Sequence, residues 1–166
     1  MHMLRSLVFG GAALLIAGSA RAEVTVTFTN PERYTDANIS TDRPVRADAP
    51  ALQALRREFE RLGRRLPPGR DLRIEVLDVD LAGRFDARRA LSPNTRVLEP
   101  TTWPRLRLRY ALMQQGRVLA QGEEDVADRL YLSRPGLVRS GDVMQYETPM
   151  LEDWFARLMA APAGGT

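Results

Sequence analysis

From Glu23 to Thr29 the chain alternates apolar Val24, Val26 and Phe28 with polar Thr25, Thr27 and Thr29, the two-residue period of a strand with one buried face. Asn30-Pro31 ends it, because proline offers no N–H to a ladder and restricts the residue before it. Pro31 to Ala47 is polar and aperiodic and reads as a long loop. The period then changes. Leu52, Leu55, Phe59, Leu62 and Leu66 recur at spacings of three and four, an apolar stripe that predicts a helix of about 19 residues. Asp48 stands where a cap belongs, and Pro50 falls in the first turn, where a missing N–H is harmless. The other side of this helix carries Arg56, Arg57, Arg61, Arg64 and Arg65 with Glu58 and Glu60. Glu60 and Arg64 lie in the favourable i,i+4 order, and the face reads as a solvated one, with an anionic partner as the alternative.

Leu66-Pro67-Pro68-Gly69 turns the chain into a strand from Asp71 to Ala82. Leu72, Ile74 and Val76 set one face, yet Leu77, Val79 and Leu81 set the other, so the register slips between Val76 and Leu77. A straight strand would bury Asp78 and Asp80 unpaired, which is expensive; a β-bulge at the slip is expected instead. Gly83 to Pro104 is a second long loop, rich in arginine and proline. Arg105 to Met113 alternates again, Leu106, Leu108, Tyr110 and Leu112 inward and Arg105, Arg107 and Arg109 outward. A two-residue Gln115-Gly116 turn would form a hairpin with Val118 to Ala120, setting Arg107 opposite Glu124 and Leu112 opposite Leu119. The arginine stripe then reads as a cross-strand charge ladder rather than a recognition surface. Glu123 to Tyr131 extends the fourth strand, anchored by Val126, Leu130 and Tyr131, and Ser133 to Val143 is loop. Thr148 as cap and Pro149 at the first helical position open a final helix whose stripe is Leu151, Trp154, Phe155 and Leu158.

The order strand, helix, strand, strand, strand, helix predicts an α+β domain, two helices packed on a mainly antiparallel sheet of about four strands. The first helix is long enough to let the first two strands pair in parallel. The domain is expected over residues 23–160, with 161–166 as a flexible tail.

Residues 1–22 are of another kind. Arg5 precedes an apolar run from Leu7 to Ala17, and Ala20-Arg21-Ala22 supplies a small-residue cleavage site, the pattern of a secretory signal peptide. The run falls short of the roughly 20 residues a spanning helix needs. No cysteine follows it, which excludes a lipid-modified N-terminus. A periplasmic or secreted location is expected, with no transmembrane segment after cleavage.

Removal of that leader takes away His2, the single histidine, along with Arg5 and Arg21. The mature chain then holds 22 arginines, no lysine and 21 carboxylates, a net charge of +1. This even mixture offers nucleic acid no basic stripe and gives no overall attraction to anionic lipid. The mature chain has no Cys, His or Lys, which removes thiolate nucleophiles, histidine triads, Schiff bases and the usual zinc, haem and iron–sulfur ligands. Carboxylate chemistry and oxygen-ligated cations survive.

One cluster could use them. Asp78 and Asp80, two apart, project from the same face of a strand, and Asp36 and Tyr34 lie in a loop able to fold over them. Calcium-loop spacing is missing, because Gly83 comes too late and no bidentate Glu follows at the right distance. Pairing of these aspartates with arginines or loop N–H groups is the structural alternative. Trp154 belongs to a core stripe, whereas Trp103, before Pro104, has room to be exposed.

Val26 to Asp36, Ile74 to Gly83, Gly122-Glu123-Glu124 and Tyr146 to Phe155 carry, in order and spacing, a likeness across nearly the whole mature chain. It resembles the secreted bacterial domain of unknown function 3016 family. The resemblance implies export and one compact domain; it implies no activity, and no catalytic residue is carried over.

The sequence therefore leaves the function unknown. A self-sufficient core, missing nucleophiles and two long loops favour a non-catalytic periplasmic or secreted module that binds an envelope component, such as a protein, through Pro31 to Ala47 and Gly83 to Pro104. The alternative is a carboxylate-based hydrolase or divalent-cation-dependent binder using Asp78 and Asp80. No cofactor or metal-ligand set is expected, and the oligomeric state stays open.

Overall fold

The computed structural model describes residues 22–39, 45–90, 95–135 and 144–161; the leader before Ala22 and the tail at 162–166 lie outside the described residues. The elements are β1 (Glu23–Phe28), α1 (Pro50–Gly63), β2 (Arg70–Asp80), β3 (Arg84–Phe85), β4 (Arg96–Val97), β5 (Arg105–Gln114), β6 (Arg117–Ala127) and α2 (Glu147–Ala160). Four strands form one sheet in the order β1-β2-β5-β6, and β3 and β4 make a two-stranded ribbon of their own. The chain thus has the expected α+β fold. β1 runs parallel to β2 across α1, and the other pairings are antiparallel. No described helix is long and apolar enough to cross a membrane.

Both helices cover the same sheet face. Leu52, Leu55, Phe59 and Leu62 of α1 and Leu151, Trp154, Phe155 and Leu158 of α2 are buried with Leu72, Ile74, Val76, Leu106, Leu108 and Leu112. Trp154 ties the layers, its ring edge-on to Phe59 of α1 at 6.1 Å and to Tyr110 of β5 at 5.8 Å. On the opposite face the arginines of β5 form the expected ladder: Arg105 pairs with Asp80, Arg107 with Glu123, and Arg109 with both Glu75 and Glu123.

The bulge stands where the apolar register slips. Val76 pairs with Leu108 and Asp78 with Arg107, leaving Leu77 as the extra residue. Val76 and Val79 are therefore both fully buried, and Asp78 and Asp80 face β5 arginines on the outer side.

Five expectations need correction. Asp48 is exposed and does not cap α1; Ala49 holds that place with no side-chain cap bond, because Pro50 at the first helical position fixes the residue before it as extended. α1 has 14 residues, not about 19, since Arg65 and Leu66 close tight turns onto Leu62 and Gly63 ahead of Pro67, with Leu66 still buried. The hairpin turns at Gln115-Gly116, both at positive φ, but a shift between Leu112 and Met113 makes Leu119 an extra residue. Arg107 consequently opposes Asp125, and Leu112 opposes Ala120. Leu130 is 74% exposed rather than an anchor, while Tyr131 beside it is 1% exposed. Finally α2 starts at Glu147, so Thr148 and Pro149 lie inside its first turn and Thr148 caps nothing.

The β1 edge of the sheet is occupied. Arg56 of α1 donates to the Val26 carbonyl at 2.7 Å and lies over the Phe28 ring at 5.1 Å. The same helix ends against this strand through Gly63, where a Cβ would sit 2.0 Å from Val24 Cγ2. Replacing a glycine by alanine where the backbone is already helical ordinarily stabilises. Gly63→Ala instead lowers unfolding free energy by about 1–3 kcal/mol through overpacking, and Val24→Ala restores most of the loss in a chemical-denaturation double-mutant cycle; additive effects would refute the contact.

Candidate functional site

The two long loops meet beyond the bulge, at the far end of β2. The bulge leaves the Val76 carbonyl able to accept twice, from Thr29 N–H at 3.0 Å and from the buried Tyr34 hydroxyl at 2.8 Å. Asp78 completes the anchorage: one carboxylate oxygen accepts the Thr35 N–H at 2.7 Å and the other the Thr35 hydroxyl at 2.7 Å. Burial pushes the Tyr34 phenol well above its ordinary value, so it remains a neutral donor. Thus held, Asp36 lies alongside Asp80 in a short parallel bridge, its N–H on the Val79 carbonyl and its own carbonyl accepting from Leu81 N–H.

The second loop is fastened by Arg96 on β4. Its guanidinium grips both oxygens of Asp36, at 2.7 and 3.2 Å, and donates to the carbonyls of Asn38, Leu81, Ala82 and Gly83. Its flat face lies 5.0 Å from the Phe85 ring centroid. Only a planar, always-charged group with five N–H donors can serve so many acceptors at once. Gly83 is needed beneath it: φ is +74°, and a Cβ would come within 2.8 Å of the Val97 carbonyl oxygen. On the other side of the same peptide run, Ala82 N–H donates to the carboxylate of Glu147 at 2.8 Å. Ala82 is thus held between a cation and a buried acid, linking the loop to the start of α2.

The result is a cleft of about 330 Å³. The first loop contributes Thr35 and Asp36, the second Arg84, Thr102 and Trp103, and the sheet Asp80 and Arg105. Asp80 and Arg105 face each other at 3.3 Å. Burial raises the Asp80 carboxyl above its ordinary range, opposed by Arg105 and reinforced by Asp36 and Asp78. Trp103 is half-buried, with the Arg129 guanidinium 5.2 Å from its ring centroid.

Of the four residues singled out in the sequence, Asp36 and Asp80 share this cleft, whereas Asp78 and Tyr34 lie outside its lining and hold the first loop down. Among the described residues no group of three or more potential ligands gathers as for a metal ion. Sequence reasoning missed Arg96, Arg84, Thr102 and Glu147. Two larger depressions lie elsewhere. One, of about 620 Å³, is floored by Ala111 and Gly122 on the open sheet face and walled by the charge ladder; the other, of about 680 Å³, runs between α1 and α2 and is bridged by Arg61 to Glu58 and Glu152.

Two outcomes test this construction. Arg96→Lys keeps the charge but not the fork, and costs about 3 kcal/mol of stability in denaturant titration through the acceptors left unpaired; trypsin then cuts at Arg84, Arg88 or Arg89 sooner than in the wild type. Unchanged stability and unchanged cleavage would contradict the assignment. Glu147 is 2% exposed, and burial drives its carboxyl above the ordinary range despite the Ala82 N–H and Arg96. Protonation therefore favours the folded state: the contribution is complete below the unfolded value of about 4.3 and is lost as pH rises through the higher folded value. Glu147→Gln keeps an acceptor for Ala82 without the charge. Its Tm gains on that of the wild type as pH is raised from about 4 to about 8, and a pH-independent difference contradicts this account.

Comparison with known proteins adds the following. The solved structure of a Xanthomonas campestris protein, XCC0632, of the family model DUF330, is 19% identical, covering 85% of this chain and 79% of its own; its TM-score of 0.31 is too low to support an argument. No curated protein matches the sequence. The model for the protein of unknown function DUF3016 matches residues 22–157. With its bulged second strand, its two fastened loops, all of α1 and most of α2 inside that match, the chain belongs to the DUF3016 family.

Proposed function

We propose that this protein is a non-catalytic, exported binding module that engages a component of the cell envelope through the cleft where its two long loops meet. The observation that carries the reading is Arg96: one side chain fastens the Asp36 loop, the end of β2 and the Arg84–Val97 ribbon into one preformed surface. A surface already ordered loses little entropy when it is engaged. The leader pattern supports export, and a chain that builds its core without cysteine has no need of disulfides there. The chemistry of the cleft supports recognition over turnover. Asp36 is committed to Arg96 and Asp80 faces Arg105, so each acid is matched by a cation. No observation favours the hydrolase or cation-dependent alternative: both Asp78 oxygens are engaged by Thr35.

A photo-crosslinking amino acid placed in living cells at Arg84 or Thr101, on the rim of the cleft, yields a discrete adduct. The same group at exposed Gln53 on α1 or Arg117 on the hairpin does not. Equal labelling at all four positions, or none at any, removes the reading.

A further inference from the structure

The main-chain groups around the cleft are already engaged. Thr35 N–H donates to Asp78, Asp36 donates to the Val79 carbonyl and accepts from Leu81, and Gly83 donates to the Thr102 carbonyl while its own carbonyl accepts from Arg96. Arg84 belongs to the β3–β4 ribbon, and Asp80 and Arg105 are paired within the sheet. An extended peptide binds a sheet edge through free main-chain donors and acceptors, and here it would find them taken.

Recognition is therefore left to side chains. Those that line the cleft are polar, threonine hydroxyls, carboxylates and guanidinium groups, with the one exception of the Trp103 indole. An apolar peptide side chain has no aliphatic wall to enter. With Asp36 on Arg96 and Asp80 on Arg105, acids and cations largely offset each other, which suits a ligand of little net charge.

Asp80 and Arg105 are set for a ligand that both donates and accepts. Their contact at 3.3 Å joins one oxygen to one nitrogen, and neither side chain is buried. The second Asp80 oxygen and the other Arg105 N–H groups have no partner among the described residues. A carboxylate accepts and a guanidinium donates, whereas a hydroxyl does both, so hydroxyls on neighbouring carbons can take one each. Bonds to charged partners are the stronger kind. Trp103 supplies a surface of another sort: Arg129 lies 5.2 Å from its ring centroid, and the half-buried indole also lines the cleft. The electron-rich face of an indole attracts the polarised C–H groups on the flat side of a sugar ring.

We infer that the cleft binds a sugar chain, one ring lying against Trp103 with adjacent hydroxyls shared between the Asp80 carboxylate and the Arg105 guanidinium. Its volume of about 330 Å³ suits a short stretch of such a chain rather than the surface of a folded protein. Sugar recognition rests on the cleft being a binding surface and gives the envelope component a chemistry.

The test uses the protein as isolated from the cells that make it, and the envelope glycan of the same cells, freed of protein by protease and of lipid by solvent and coupled to a column. The wild type is retarded. Trp103→Ala and Asp80→Ala each weaken retention roughly tenfold, and Trp103→Phe, which keeps an aromatic face, retains most of it. Melting curves matching the wild type show that the variants are folded. In cells, the photo-crosslinking group at Thr101 carries its adduct on the tryptic peptide 97–105, which fragments into a ladder of sugar masses; made on an otherwise unaltered chain, this arm decides even where a variant is unstable. A wild type that passes the column unretarded, or a folded Trp103→Ala retained as well as the wild type, overturns the sugar assignment. An adduct with no sugar in it, such as a peptide, overturns it too and leaves the cleft reading standing. No adduct at either Thr101 or Arg84 removes the cleft reading itself, and the sugar with it.

Discussion

One additional residue, Leu77, sets the arrangement of this molecule. Before it, β2 directs Leu72, Ile74 and Val76 under the helices; beyond it, Val79 resumes that side, and Asp78 and Asp80 are kept out of the core. The same irregularity exposes the Val76 carbonyl to Tyr34 and directs Asp78 at Thr35. A straight strand would bury two carboxylates and leave the first loop without its fastening. From that point the construction is cumulative: the bulge positions Asp36, Asp36 receives Arg96, and Arg96 collects the carbonyls around Gly83.

Much of this is legible in the amino-acid pattern alone. The alternation in β1 and β5 and the stripes of α1 and α2 are strong because each element buries only one side, so side-chain type tracks position. The bulge is legible for the same reason, since two alternating runs out of phase cannot both lie on one face of a regular strand. The hairpin register is not. Val118, Leu119 and Ala120 are all apolar, and a run of three carries no period from which to notice that Leu119 is the extra residue. The helix starts go astray because Asp48 and Thr148 are good capping residues within two positions of a proline, and propensity alone does not reveal which backbone turns first.

The candidate site is legible in part. Asp36 and Asp80 do come together, as their strand and loop positions suggest. Arg96 leaves no signature because it is one arginine among many, and four of its acceptors are backbone carbonyls, which look the same at every residue. Glu147 is hidden for a related reason: its partner is the N–H of Ala82, 65 residues away, and nothing in the side-chain pattern marks that amide. Backbone-directed contacts between distant segments are the part of a fold that composition and periodicity represent least.

Arg56 bears on how copies of the chain can meet. A sheet with two open edges can add strands at both, and such head-to-tail addition continues without limit unless it closes into a ring. Here the Val26 carbonyl is already claimed from α1, so β1 is a poorer acceptor than β6, the opposite edge of the four-stranded sheet. At β6 the adjacent acids Glu124 and Asp125 oppose the pairing of one copy with another. Strand addition at β1 is thus discouraged at its first step by the geometry of one side chain.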